Sequence, residues 1–242
     1  MAQVNHGSSS TGARIGILTG SGPEAGMYQW QCLLDARRRL NDDNFRGDRD
    51  MPYIKIISDP RLGFSGLTEN HNDMTWKVLE EDIHQLGNQV DYFIIACYSL
   101  HRYASQILSM GMEAKFVSLE TAIDSYMAQH RPKRTTILRP ELSETEKETV
   151  FCNIHRYTFI DPVLEPERVR KLIQSVKLYG SNLPENTETL NDILTSIHSD
   201  AIVLGCTELP LICSQQHHNP RIVDGMRLTA EQLISTIALN NT

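Results

Sequence analysis

The sequence predicts an α/β protein built from two similar, pseudo-symmetric Rossmann-like lobes with mainly parallel sheets and an active site in the cleft between them. Three observations predict it. Short apolar strands alternate with amphipathic helices along the chain, the pattern of helices laid over a parallel sheet. The strand runs are continuously apolar, as in Tyr92-Phe-Ile-Ile-Ala96, which suits strands covered on both faces. The chain also repeats itself. Asp91-Tyr-Phe-Ile-Ile-Ala-Cys97 and Asp200-Ala-Ile-Val-Leu-Gly-Cys206 each run aspartate, apolar strand, cysteine, and each follows an amphipathic helix.

Residues 1–13 are polar without an apolar stretch, so they are expected to form a disordered lead-in and not a secretory signal. Arg14–Thr19 reads as the first strand and Gly20-Ser-Gly-Pro-Glu24 as a turn. Proline suits the first turn of a helix and glutamate suits its positive end, so a helix is expected from Pro23 to about Leu40. Tyr53–Ser58 reads as a strand, Asp59–Gly66 as a Pro/Gly loop and Asn70–Leu86 as a helix. The strand Tyr92–Ala96 ends at Cys97, with a helix soon after. The second half opens on Arg134-Thr-Thr-Ile-Leu138, which reads like Arg14-Ile-Gly-Ile-Leu18. Helices are expected at Leu142–Cys152, Glu165–Tyr179 and Thr187–His198. An apolar strand then runs into Cys206, followed by a short strand at Arg221–Val223 and a helix at Leu228–Leu239.

Composition narrows the function classes. Of 242 residues, 40% are hydrophobic and 22% charged, which excludes a disordered, collagen-like or disulfide-scaffold protein. Lys and Arg number 23 against 30 Asp and Glu, a net charge of −7 without the basic excess of a duplex-binding surface. No apolar run approaches the roughly 20 residues that span a bilayer. Neither nucleic acid nor a membrane is therefore expected as a partner. Five cysteines, an odd number with no signal peptide, point to free thiols in a reducing, cytoplasmic setting. None forms a Cys-x-x-Cys pair, and adjacent His217 and His218 do not converge on one helix face, so no metal is expected. The glycines of Gly20–Gly26 follow a strand but miss the GxGxxG spacing, which argues against a dinucleotide.

Cys97 and Cys206 carry the chemistry. A single buried cysteine is most often core packing, but ligands of open parallel sheets bind beyond the carboxyl ends of the strands, where both of these stand. Two facing lobes bring one thiol from each to a shared cleft. Cys32 and Cys152 fall within expected helices and Cys213 near the end of a short one, so these three read as structural. A thiol has a reference pKa of about 8.5, lowered by a helix N-terminus or a nearby cation. One thiolate takes a proton from the carbon beside a carboxylate and the opposite thiol returns one to the other face, inverting the centre without a cofactor. The substrate is then a small carboxylate. Helix-start amides and the hydroxyls of Ser21, Ser99 and Thr207 are the groups expected to bind it and stabilise the carbanion.

Three stretches, Gly16–Ala25, Ile95–His101 and Val203–Ile212, also carry a family likeness. The chain resembles the aspartate/glutamate racemases, cofactor-independent enzymes with two cysteines, and Glu208 after Cys206-Thr207 is similar to the aspartate branch. The resemblance implies a first lobe of residues 14–118 with 226–242, a second of 119–225, and a C-terminal helix packed back on the first. It implies Cys97 and Cys206 as the acid/base pair, aspartate or a related acidic amino acid as substrate, no cofactor, and a homodimer.

Some positions depart from the family pattern. Cys-Asn-Thr-x-His is here Cys97-Tyr-Ser-Leu-His101, so Tyr98 stands where relatives place an Asn on the substrate carboxylate. Arg139-Pro140 replaces a Gly/Thr-rich turn. Arg61 and Lys177, off the pattern, are the candidates for holding a distal carboxylate. His101 reads either as a group that polarises the site or as a packed histidine, and Glu208 as a helix-start carboxylate or an active-site acid. Two alternatives stay open: a cysteine-based isomerase or decarboxylase, as in relatives such as maleate isomerase, and a non-catalytic small-molecule-binding protein.

Overall fold

The computed structural model describes residues 12–64, 72–140, 150–213 and 219–240. Two four-stranded, wholly parallel sheets organise it. The first holds β1 (Arg14–Thr19), β2 (Tyr53–Ser58), β3 (Tyr92–Ile95) and β4 (Lys115–Val117) in the order β2-β1-β3-β4. The second holds β5 (Arg134–Leu138), β6 (Phe159–Asp161), β7 (Ala201–Leu204) and β8 (Ile222–Val223) in the order β6-β5-β7-β8. The internal repeat is thus a repeat of topology, and its cause is visible at the strand starts. The Asp91 N–H donates to Arg14 O at 2.8 Å, and Asp91 Oδ2 accepts from the Arg14 N–H at 2.7 Å. Asp200 makes the same two bonds with Arg134, both at 3.0 Å. One aspartate pins the lower edge of each central strand pair. At about 3.3 Å per residue, the chain then emerges at the upper edge on a cysteine.

The helices are α1 (Pro23–Asn41), α2 (Asn72–Leu86), α3 (Ala104–Ser109), α4 (Leu119–His130), α5 (Pro166–Tyr179), α6 (Pro184–Ser196), α7 (Leu209–Ile212) and α8 (Gly225–Asn240). Proline opens α1, α5 and α6, where its missing N–H costs nothing. The sequence reading missed β4, β6 and α4. The two strands are three residues long and half exposed, too short to show a period. Residues 150–153 form a turn, with Phe151 at φ 58°, so Cys152 sits on a turn and not in a helix. The rest of the helix expected there, residues 1–11, and His217 and His218 lie outside the described residues.

α4 and α8 leave equivalent strands and pack between the sheets. Ile123 and Met127 of α4, and Met226, Leu233 and Ile237 of α8, join Leu33, Ile15, Ile17 and Val203 in one buried cluster. Each such side chain contributes about 1.5–3 kcal/mol of transfer free energy. The Gln29 amide donates to Met226 O at 3.1 Å and the Tyr28 hydroxyl to Asp224 Oδ2 at 2.6 Å, tying α8 to α1. The upper edges of the two sheets are therefore held at a fixed spacing by a packed core. No described helix is long and apolar enough to cross a membrane.

Candidate active site

The last ladder bond beside β3 runs from Ala96 N–H to Leu18 O at 2.9 Å, and its counterpart beside β7 from Gly205 N–H to Leu138 O at 2.8 Å. Cys97 and Cys206 come next. The chain then turns in the same way twice, with Leu100 N–H donating to Cys97 O at 3.3 Å and Leu209 N–H to Cys206 O at 3.1 Å. All five cysteines are free. Lys177, in the last turn of α5, links the two sulfurs electrostatically. Burial opposes its ammonium, but Glu208, Cys97 and Cys206 outweigh burial and raise its pKa.

The two thiols differ in their partners. Cys97 Sγ lies 3.1 Å from Ser99 Oγ. The Cys206 thiol donates to Glu208 Oε2 at 2.8 Å, and Thr207 Oγ1 stands 3.5 Å from the same oxygen. Glu208 is buried, and its Oε1 lies 3.2 Å from Lys177 Nζ. Burial first, then the Glu208 carboxylate, push the Cys206 pKa well above the thiol range, against a smaller pull from Lys177 and the Glu208 N–H. Cys206 therefore keeps its proton in the resting site. Glu208 also crosses between the lobes. It rests on Gly22, whose φ of 118° disfavours any side chain and where a Cβ would collide with Glu208 Oε1.

A cavity of about 520 Å³ opens beside Glu208 and Lys177. One wall is the turn Gly20–Ala25 with Gly63, and the other is Val176–Gly180 with Glu208 and Leu211. Ser21 is on the first wall. Glu24 bridges the walls, its Oε2 accepting from the Ser181 N–H at 3.1 Å. The sulfurs themselves are not on the lining. Glu208 lines the cavity and bonds Cys206, so the Cys206 thiol lies behind Glu208.

Other residues expected at the site serve elsewhere. His101 Nε2 accepts from the Leu119 N–H at 3.1 Å, so its proton is on Nδ1, which donates to Cys97 O at 2.9 Å. Burial lowers its pKa to about 4, and it is a neutral, packed histidine that ties the Cys97 turn to the start of α4. The Tyr98 ring packs 4.9 Å from that of Phe151, and its hydroxyl fills the space left by the missing side chain of Gly225. The Arg139 guanidinium lies 6.0 Å over the same Phe151 ring. The two departures from the family pattern therefore meet on one aromatic ring in the inter-lobe packing. Arg61 is exposed and bonded to Asp59 and Glu81. Lys177 was legible as more than an off-pattern cation. It follows the buried Ile173 by four residues and adjoins Val176, a charge at a core-periodic position of α5.

Residues 44–233 match the Asp/Glu/Hydantoin racemase family. The chain is 22% identical over 230 residues to the Broad specificity amino-acid racemase RacX of Bacillus subtilis (strain 168), covering 92% of this chain and 97% of that protein. Picrophilus torridus aspartate racemase shares the fold with a TM-score of 0.76 at 21% identity, over 94% of this chain and 95% of that one. Glutamate racemase from Francisella tularensis does so with a TM-score of 0.63 at 16% identity, over 96% and 83%. A duplicated parallel fold, cysteines at matching strand ends and a family match over most of the chain agree: the protein belongs to the Asp/Glu/Hydantoin racemase family and is an isomerase.

Proposed function

We propose that the protein racemises a free α-amino acid by two-base proton transfer between Cys97 and Cys206. The reading rests on the equivalence of the two thiols at the ends of β3 and β7, with one ammonium, Lys177, in electrostatic reach of both. Cys206, protonated under the influence of burial and Glu208, delivers its proton to the α-carbon. Cys97 takes the α-proton from the opposite face. Cys97 is then the thiol and Cys206 the thiolate, the form that acts on the product enantiomer. When the starting form is restored, Cys97 gives its proton to water and Cys206 takes one from water, relayed by Glu208, which is bonded to Cys206 Sγ at 2.8 Å. Turn amides with Ser21, Ser99 and Thr207 hold the α-carboxylate, where carbanion charge gathers. The chemistry needs no cofactor.

The same proposal takes the enzyme as a cytoplasmic homodimer, supported by its five free thiols and by exposed Met27 and Trp30 on α1. It divides the chain into a lobe of residues 14–118 with 226–242 and a lobe of 119–225, supported by the bonds that tie α8 to α1. The test is α-hydrogen exchange of L-amino acids in deuterated water, with chiral chromatography of the product. Cys97→Ala and Cys206→Ala are each expected to lose about 10²–10⁴-fold in rate, while Cys32→Ala, Cys152→Ala and Cys213→Ala keep it. Full racemisation by either of the first two variants overturns the mechanism.

A further inference from the structure

The cavity beside Lys177 and Glu208 has a lopsided charge. Its charged lining side chains are Glu24, Lys177 and Glu208, two carboxylates and one ammonium. Lys177 and Glu208 answer each other at 3.2 Å. Glu24 is the surplus. Its Oε2 takes the Ser181 N–H, and no described residue bonds its Oε1. Of the two candidates for holding a second substrate carboxylate, Arg61 donates to both Asp59 oxygens and to Glu81 on the surface and is not on the lining, while Lys177 is on the lining but paired with Glu208. The same lining includes the apolar side chains of Ala25, Val176 and Leu211.

We propose that the preferred substrate is an amino acid with a basic side chain, and that Glu24 is the residue that selects it. The proposal rests on the racemase reading above and adds the side chain. An α-amino acid whose carboxylate is held by the turn amides and hydroxyls also meets Lys177 with that carboxylate and Glu208 with its ammonium, which uses up the inner pair. Its side chain then runs along Ala25, Val176 and Leu211 toward Glu24. A terminal ammonium pairs with the open oxygen of Glu24. A terminal carboxylate faces a like charge, and the one cation among the described lining residues, Lys177, is already taken by the α-carboxylate. A cavity of about 520 Å³ has room for a chain of lysine length.

The experiment compares α-hydrogen exchange of L-lysine, L-ornithine, L-norleucine, L-aspartate and L-glutamate by the full-length protein in deuterated water, followed by proton NMR. Norleucine has an apolar chain similar to that of lysine without its charge, so the lysine-to-norleucine ratio of kcat/KM isolates the terminal ammonium. That ratio is expected to be about tenfold or more, the usual size of one charge-assisted contact. Glu24→Gln keeps an acceptor for the Ser181 N–H and removes the charge, so it is expected to bring the ratio close to one. Aspartate or glutamate as the fastest substrate overturns the basic-substrate proposal and leaves the racemase reading standing. A ratio near one in the wild type, or one that Glu24→Gln does not move, also overturns it. Exchange of none of the amino acids overturns both.

Discussion

Cys97 and Cys206 occupy the same place in two copies of one topology, yet they are chemically unlike. After Cys97 come Tyr98, Ser99 and, at the fourth position, His101. After Cys206 come Thr207, Glu208 and Pro210. Two residues on, a neutral hydroxyl at 3.1 Å stands against one sulfur and a carboxylate at 2.8 Å against the other. Four residues on, a histidine braces the first turn to the start of α4, while a proline sits in the first turn of α7. The repeat sets where each thiol stands, and the few residues that follow set what it does. For a two-base racemase this asymmetry is useful, because one thiol has to start with its proton and the other without.

The largest effect expected on this comparison comes from the brace, which only the Cys97 side has. The His101 pKa is about 4 in the fold against 6.5 ordinarily, because burial disfavours the imidazolium. The unfolded chain takes up this proton first as pH falls. The stability from neutral His101 is therefore fully present above about pH 6.5 and lost as pH falls through about 4, a difference of roughly 3 kcal/mol. Glu120 runs the other way: raised to about 7 by burial, it contributes stability below about pH 4.5 that is lost as pH rises through about 7. Subtracting the denaturation curves of His101→Gln from those of the wild type cancels Glu120. The difference is expected to shrink steadily over that window, and a difference independent of pH would remove His101 as the brace.

A second prediction breaks the Cys206 side at its contact with the other lobe. Gly22→Ala forces a side chain onto a φ of 118° and into Glu208 Oε1. Strain of this kind costs about 1–3 kcal/mol. Part of it comes from the collision, so a double-mutant cycle with Glu208→Ala is expected to recover that part. Strict additivity of the two changes would mean that Glu208 does not rest on Gly22.

The same contrast explains what the sequence made legible. The duplicated Asp-to-Cys strand declares itself because the aspartate, the apolar run and the cysteine each have one structural duty, and all three are local. β4 and β6 were invisible because a three-residue edge strand is defined by its neighbour, not by its own pattern. α4 was missed although Leu119, Ala122, Ile123 and Met127 follow helical spacing. Tyr98 and Arg139 stand in the sequence as departures from the family pattern. Their common partner Phe151 lies far along the chain from Tyr98, in a turn where a helix was expected, so no local pattern could pair them. Glu24 illustrates the same limit. As a helix-start glutamate it needed no further explanation, and only the facing Ser181 shows that it spans the cleft.

The smallest expected effect sharpens the comparison most directly, because it reads the two thiols in one sample. Glu208 raises the Cys206 pKa by its charge and by accepting the thiol proton, whereas Lys177 lowers it. Glu208→Gln removes the charge and leaves an acceptor of similar shape. At a fixed pH below the thiol range, alkylation of Cys206 by iodoacetamide is expected to speed up roughly tenfold, the size of one hydrogen bond to a charged group. Lys177→Met should slow it. Peptide mapping reports Cys97 in the same digest, and there the Glu208→Gln change should be much smaller, since its nearest partner is Ser99 Oγ. Equal acceleration at both cysteines would mean that the substitution merely opens the cleft to the reagent. Acceleration confined to Cys206 would show that one carboxylate, two residues along the chain, distinguishes two thiols that the topology makes equivalent.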